Sequence, residues 1–182
     1  MEQYLRAERL SATFLRPVAF MDNFVLPQWG LHQGVFTTAL LPSTKQQLIA
    51  VADIGALAAL MFEQGTEPSA RILEIAGDEL TPLEMAASLS DSLGRRIPYL
   101  QMPAEVLLQL NENSGKGYAR INAGEMTRVD IASIGEIHPG LMTFRSWLQN
   151  GGARRLGTLL PPERDGYLSG LPAWRLERLS GQ

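Results

Sequence analysis

The side chains able to do chemistry are few, and their spacing removes most reactions from consideration. None of the 182 residues is cysteine, which excludes disulfides, thiolate nucleophiles and thiolate-held metals. The two histidines, His32 and His138, stand far apart, whereas a metal site wants paired ligands at short spacing. His138 precedes Pro139 in a turn-like stretch, so both read as turn residues and no metal ligand is named. A phenol and an ammonium four positions apart would share one helix face, where the cation lowers the phenol pKa for proton transfer. Tyr4, Tyr99, Tyr118 and Tyr167 are followed at that distance by Glu8, Pro103, Asn122 and Leu171, so the dyad is absent. No Gly-x-Ser-x-Gly elbow presents a serine nucleophile. Cradling a pyrophosphate needs a glycine-rich turn between a strand and a helix, and none of the 17 glycines falls in a GxGxxG or GxxGxxG arrangement. Gly115-Lys116-Gly117 lacks both the Walker spacing and a preceding strand, and reads as part of a polar loop, Asn111 to Gly117. No catalytic residue is named.

Hydrophobic residues make up 45% of the chain and charged residues 19%, enough apolar material for a buried core. The net charge of -3 is dispersed, with no basic stripe to neutralise phosphates, so nucleic acid is not an expected partner. The most apolar run, Ile49 to Phe62, contains Asp53 and is too short to span a bilayer; no membrane partner is expected and a cytoplasmic location is.

Tyr4, Leu5 and Leu10 among charged residues read as the end of an amphipathic helix. Thr13 to Arg16 reads as a buried parallel strand halted by Pro17. Val35 to Leu41 is a second extended run. Leu48 to Val51 is a strand running straight into a helix, with Asp53 as its N-cap. Arg71 to Ala76 is another strand. Thr81-Pro82-Leu83-Glu84 carries a capping box, opening a helix that stops at Gly94. Ile97 to Met102 is a short strand, Pro103 opens a helix through Leu110, and a last helix covers about Leu141 to Leu148. Trp29, Phe36 and Tyr99 are core residues by default, with a substrate cleft as their alternative place. Strands alternating with helices indicate an α/β fold.

Five stretches in order resemble NmrA-like proteins, atypical relatives of the short-chain dehydrogenases/reductases. Thr-Phe-Leu-Arg-Pro-Val-Ala-Phe-Met-Asp-Asn at 13–23 looks like the family's strand ending in Arg-Pro and entering an aromatic-x-acid-Asn segment. Val51-Ala52-Asp53-Ile54-Gly55, Ile75 to Thr81, Leu93 to Tyr99 and His138-Pro139-Gly140-Leu141 with Phe144 and Trp147 are similar to the later strand-to-helix steps and the C-terminal helix.

The resemblance implies the C-terminal part of a Rossmann-like NmrA-type fold: the last sheet strands and a small substrate-side α/β lobe over 1–150, without the N-terminal dinucleotide-binding strands. Residues 151–182 are expected to be a loosely ordered tail. Carried over by position, Pro17, Ala19, Phe20, Met21, Asp22 and Asn23 would lie at the nicotinamide end of the cofactor, Pro17 and Ala19 shaping the turn. The alternative for Phe20 and Met21 is ordinary core, and for Asn23 a turn cap.

The implied function is NAD(P) binding of the reductase or redox-sensor type on a small-molecule substrate. The glycine fingerprint and the Tyr/Lys pair are missing, so this truncated chain is expected to bind NAD(P) weakly or not at all and to be inactive alone. The other reading is a non-catalytic interaction module. The strands at Thr13 and Leu48 are expected to have unpaired neighbours, and self-association through such edges follows.

Overall fold

The computed structural model describes residues 2–8, 12–63 and 71–162. A first short helix, α1 (Glu2–Ala7), leads to strand β1 (Thr13–Pro17). Leu10, assigned to that helix from sequence, lies outside the described residues.

β1 pairs in parallel with β5 (Arg71–Ile75), Thr13 opposite Arg71 and Pro17 opposite Ile75. Val18 alone separates β1 from β2 (Ala19–Phe20), and Ala76 and Gly77 separate β5 from β6 (Asp78–Leu80). Beyond those points the two chains part, and β4 (Gln46–Ile49) runs between them, parallel to β2 and antiparallel to β6. A separate parallel pair joins β3 (Phe36–Thr38) to β7 (Tyr99–Gln101), each within the extended run read from sequence at Val35 to Leu41 and Ile97 to Met102.

Two expectations about edges therefore part company. Among the described residues β1 has a neighbour on one side only. β4 is flanked on both sides, and its Leu48 and Ile49 are fully buried, which corrects the reading of Leu48 as an unpaired strand. β1 is half-buried rather than buried: Thr13, Phe14, Leu15 and Pro17 keep partial exposure and Arg16 is exposed.

Helix α3 (Pro82–Leu93) follows its sequence signals closely. The Thr81 hydroxyl accepts the Glu84 N–H at 3.2 Å and the Glu84 carboxylate accepts the Thr81 N–H at 2.7 Å, while Gly94 ends the helix at φ +66°. The Thr81 N–H and hydroxyl hold the Glu84 carboxyl below its ordinary range, and Lys45 adds to the effect.

Helix α2 (Val51–Glu63) starts two residues earlier than expected, so Asp53 is inside its first turn rather than at its cap. That correction has a clear cause. Asp53 is 2% exposed, and its oxygens accept the Met142 N–H at 3.0 Å and meet His138 Nε2 at 3.1 Å. The carboxylate holds the chain that leads into the C-terminal helix, and His138 is more than a turn residue. The cap at this helix comes from far away in sequence: Asp22 Oδ2 accepts the Val51 N–H at 2.9 Å.

α4 (Ala104–Leu110) opens after Pro103 as read. The stretch from Asn111, expected to be a polar loop, is mostly helix α5 (Glu112–Asn122). Asn111 caps it by accepting the Ser114 N–H at 2.9 Å, and Glu112 pairs with Lys116 one turn on at 2.6 Å. Gly115 permits the tight packing of α5 on α4, because a Cβ there would stand 2.6 Å from a Leu108 methyl. A glycine that weakens a helix in isolation is here what lets two helices meet.

After α6 (Ile131–Ile137), helix α7 (Phe144–Trp147) begins three residues later than expected, because Thr143 accepts the Ser146 N–H and fixes the start there. The chain kinks through Leu148–Gly152 into α8 (Ala153–Gly157). The tail expected from 151 is thus helical at its beginning, with Leu156 fully buried; residues 163–182 lie outside the described set.

The main core gathers around Phe24, which stacks on Trp29 at 4.7 Å and on Phe36 at 5.3 Å and meets Phe144 at 4.9 Å. A smaller cluster of Ile49, Leu57, Ile75 and Ile134 lies under α2 and α6. Among the described residues no helix is long and apolar enough to cross a membrane.

Candidate functional site

β1 and β5 run in parallel and their carboxyl ends point the same way, so the last residues of both strands border one opening. Arg16, Pro17, Val18 and Ala19 from the first and Glu74 from the second wall a cleft of about 850 Å³. Leu41 and Ser43 to Gln47, leading into β4, form a second wall, and the end of α5 from Arg120 with Gly124 to Val129 after it forms the third. This is where open α/β sheets place their ligands, outside the carboxyl ends of parallel strands.

The third wall is fastened by polar groups. The Gln47 side chain donates to the Val129 carbonyl and accepts the Val129 N–H, both at 2.8 Å. Asn122 accepts the Leu41 N–H and donates to the Ala39 carbonyl, both at 2.9 Å. Glu79 pairs with Arg128. On the first wall Arg16 is bracketed by Glu2 at 2.8 Å and Glu74 at 3.6 Å; the Glu2 hydrogen bond, opposed by burial and helped by the charges of both acids, raises the guanidinium above its ordinary range. Gln46 is 9% exposed on the cleft wall, and its Oε1 meets no donor. Such an orphan costs about 1–3 kcal/mol.

The six residues assigned to the cofactor from sequence divide. Pro17 and Ala19 line the cleft; Phe20, Met21, Asp22 and Asn23 do not. Phe20 is the end of β2 opposite Ile49 and packs on the smaller core. Met21 is fully enclosed in the main core, which is the alternative held open for it. Asp22 has both oxygens engaged, one capping α2 and the other on Arg155 at 2.5 Å, and that guanidinium lies 5.6 Å over the Trp147 ring. Burial pushes the Asp22 carboxyl up, but the Val51 N–H, Arg155 and Trp147 together outweigh it and the net direction is down. Asn23 is half-buried, and its carbonyl accepts the Leu26 N–H. Trp29, Phe36 and Tyr99 are core, not cleft; the Tyr99 hydroxyl donates to the Leu40 carbonyl at 2.6 Å and so holds the turn before the second wall. Residues 120–129 and Gln46 carried no motif that a sequence could flag.

This architecture has known counterparts. The family model described as the NmrA-like family matches residues 1–134. The chain belongs to the NmrA-like family. No curated protein matches it. Among solved structures, a nucleoside-diphosphate-sugar epimerase from Staphylococcus aureus is similar at 16% identity and a TM-score of 0.62, over 81% of this chain and 55% of the other. Triphenylmethane reductase of Citrobacter sp. complexed with NADP(H) is similar at 17% identity and 0.62, over 82% and 56%. NmrA, a negative transcriptional regulator, in complex with NADP is similar at 16% and 0.60, over 95% and 59%.

At such identities these likenesses concern the fold, a mixed α/β arrangement of the Rossmann-like NmrA type. The chain spans little more than half the length of each of these structures. In this NmrA-like chain among the described residues no group of three or more His, Cys, Asp or Glu is placed to hold a metal ion.

Proposed function

We propose that this chain is the substrate-side portion of an NmrA-like NAD(P)-binding protein of the reductase or redox-sensor type, its small-molecule substrate held in the cleft beyond β1 and β5. The observation that carries the reading is that cleft, because a parallel pair opens its carboxyl ends onto it and Pro17 and Ala19 stand on its wall. Two of the similar structures contain NADP(H) or NADP. In this chain Pro17 and Ala19 would form the surface against the nicotinamide end. The cofactor would supply hydride transfer, and the chain's own part is to wall off and orient the substrate.

The pyrophosphate cradle is not among these 182 residues, so dinucleotide binding by this chain alone is weak or nil. Isothermal titration with NADPH tests this. No saturable heat is expected, and micromolar binding by the isolated chain contradicts the impaired-binding part of the proposal.

One feature favours a second reading, an interaction module that pairs with another chain. Among the described residues β1 is paired on one side only, and α2 beside it is apolar yet leaves Val51 45% and Phe62 85% exposed. Light scattering after size exclusion separates the two: a defined oligomer with a cooperative melt favours the module, and aggregate or a molten monomer favours the portion of a larger fold.

A further inference from the structure

The cleft wall carries four cations and three acids, and their pairing is uneven. Arg16 faces Glu74, Arg120 faces Glu125 at 3.7 Å, and Arg128 faces Glu79, so every acid on the wall has an arginine. Lys45 is the fourth cation. It is exposed at the entrance to β4 and makes no ion pair with any described residue, and Glu84, whose carboxyl feels its field, is not part of the wall. A cationic ligand would find no acid that is not already engaged. An anion would meet Lys45 without breaking an existing pair.

Two further observations narrow the chemistry. Lys45 is followed by Gln46, whose Oε1 is enclosed and lacks a donor, so turning that amide toward a ligand hydroxyl or N–H in the cleft removes an existing cost. Leu41 and Met126, both on the cleft wall, are 43% and 49% exposed and present apolar surface to the opening. They fit a compact apolar body.

Resting on the cleft reading above, we propose that Lys45 selects the substrate: a small carboxylate with an apolar, ring-sized body and a hydrogen-bond donor. The carboxylate sits at Lys45, the donor at Gln46, and the body between Leu41 and Met126. The cleft of about 850 Å³ exceeds one such ring, which leaves room for the reacting partner.

The test uses the full chain and three probes of one frame, 3-hydroxybenzoate, 3-hydroxybenzamide and 3-hydroxybenzylamine, titrated by saturation-transfer NMR. Lys45→Glu and Lys45→Arg variants are measured beside the original. Lys45 is exposed and bonded to nothing in the core, so both variants should fold, and matching melting curves check this. The anion should bind about two- to fivefold more tightly than the amide, which is the scale of one exposed charge contact. Lys45→Glu should abolish that preference and Lys45→Arg should keep it.

Equal binding of all three probes, or an anion preference that survives Lys45→Glu, overturns the charge assignment while the cleft reading stands. If none of the probes binds, both the substrate class and the cleft as a ligand site fall. NADPH titration reports separately on the cofactor half of the reading.

Discussion

Helices α2 and α3 are nearly the same length, and α2 is the more apolar, yet α3 is the one that is buried. α3 turns Pro82, Met85, Ala86 and Leu89 into the core. α2 buries only Asp53 and Leu57 along thirteen residues. The difference lies in what stands opposite. α3 faces the aromatic cluster of Phe24, Phe144 and Trp147 together with α8, whereas α2 lies over β1, a strand with one neighbour among the described residues. Hydrophobicity supplies a drive to be buried, but the free energy is realised only where another surface removes the water. Among the described residues α3 is enclosed by its own chain, and α2 keeps apolar side chains exposed.

That contrast can be broken experimentally, and the largest effects should come from the enclosed side. Phe24→Ala removes the ring at the centre of the aromatic cluster and should cost about 3–5 kcal/mol in chemical denaturation, enough to unfold a marginal domain. A loss under about 1 kcal/mol would mean that the cluster is not the main core.

Asp53→Ala strips a buried acceptor from the Met142 N–H and from His138, and should cost about 2–4 kcal/mol. Asp53 belongs to α2 but tethers the C-terminal segment. Hydrogen exchange at residues 138–144 should rise first; uniform exchange across the chain would refute the tether.

Thr81→Ala, which removes one half of the capping box, should cost about 1 kcal/mol. Asp22→Asn weakens the long-range cap on α2 and the Arg155 pair, also by about 1 kcal/mol at neutral pH. Its pH dependence has a defined sign. The folded carboxyl is lowered, so its stabilisation is complete above the ordinary aspartate range and is lost as pH falls through the lowered value. The gap between the original chain and the variant in thermal melts should therefore close toward strong acid. A gap that widens there would show the cause assigned to Asp22 to be wrong.

The smallest effect belongs to the open side. Phe62→Glu alters a side chain 85% exposed on α2 and should change stability by less than about 0.5 kcal/mol, while reducing concentration-dependent scattering if this face associates. A large destabilisation would show that α2 is covered after all.

Local chemistry was legible from the residues alone. Thr81-Pro82-Leu83-Glu84 and Gly94 marked both ends of α3, and Arg-Pro marked the end of β1, because caps and prolines act through bonds to near neighbours. The α/β class followed from alternation, and the family from ordered stretches, four of which lie within the matched residues 1–134. Other assignments needed the third dimension. Asp53 looked like a cap because Asp commonly is one, but the backbone N–H it serves arrives from Met142, 89 residues on, and the true cap for α2 arrives from Asp22, 29 residues back.

Gly115 looked like a loop signal because its helix cost is intrinsic, whereas its benefit depends on Leu108 across a hairpin. Of the six residues read toward a cofactor, neighbours in sequence were sent to opposite fates: Ala19 to the cleft and Met21 to the core, two positions apart. Sequence determines what each short segment prefers, since those preferences are settled within a few residues. Which side of each segment is enclosed, and by what, is decided by partners distant in the chain, because burial and ion pairing are properties of two surfaces and neither surface specifies the other.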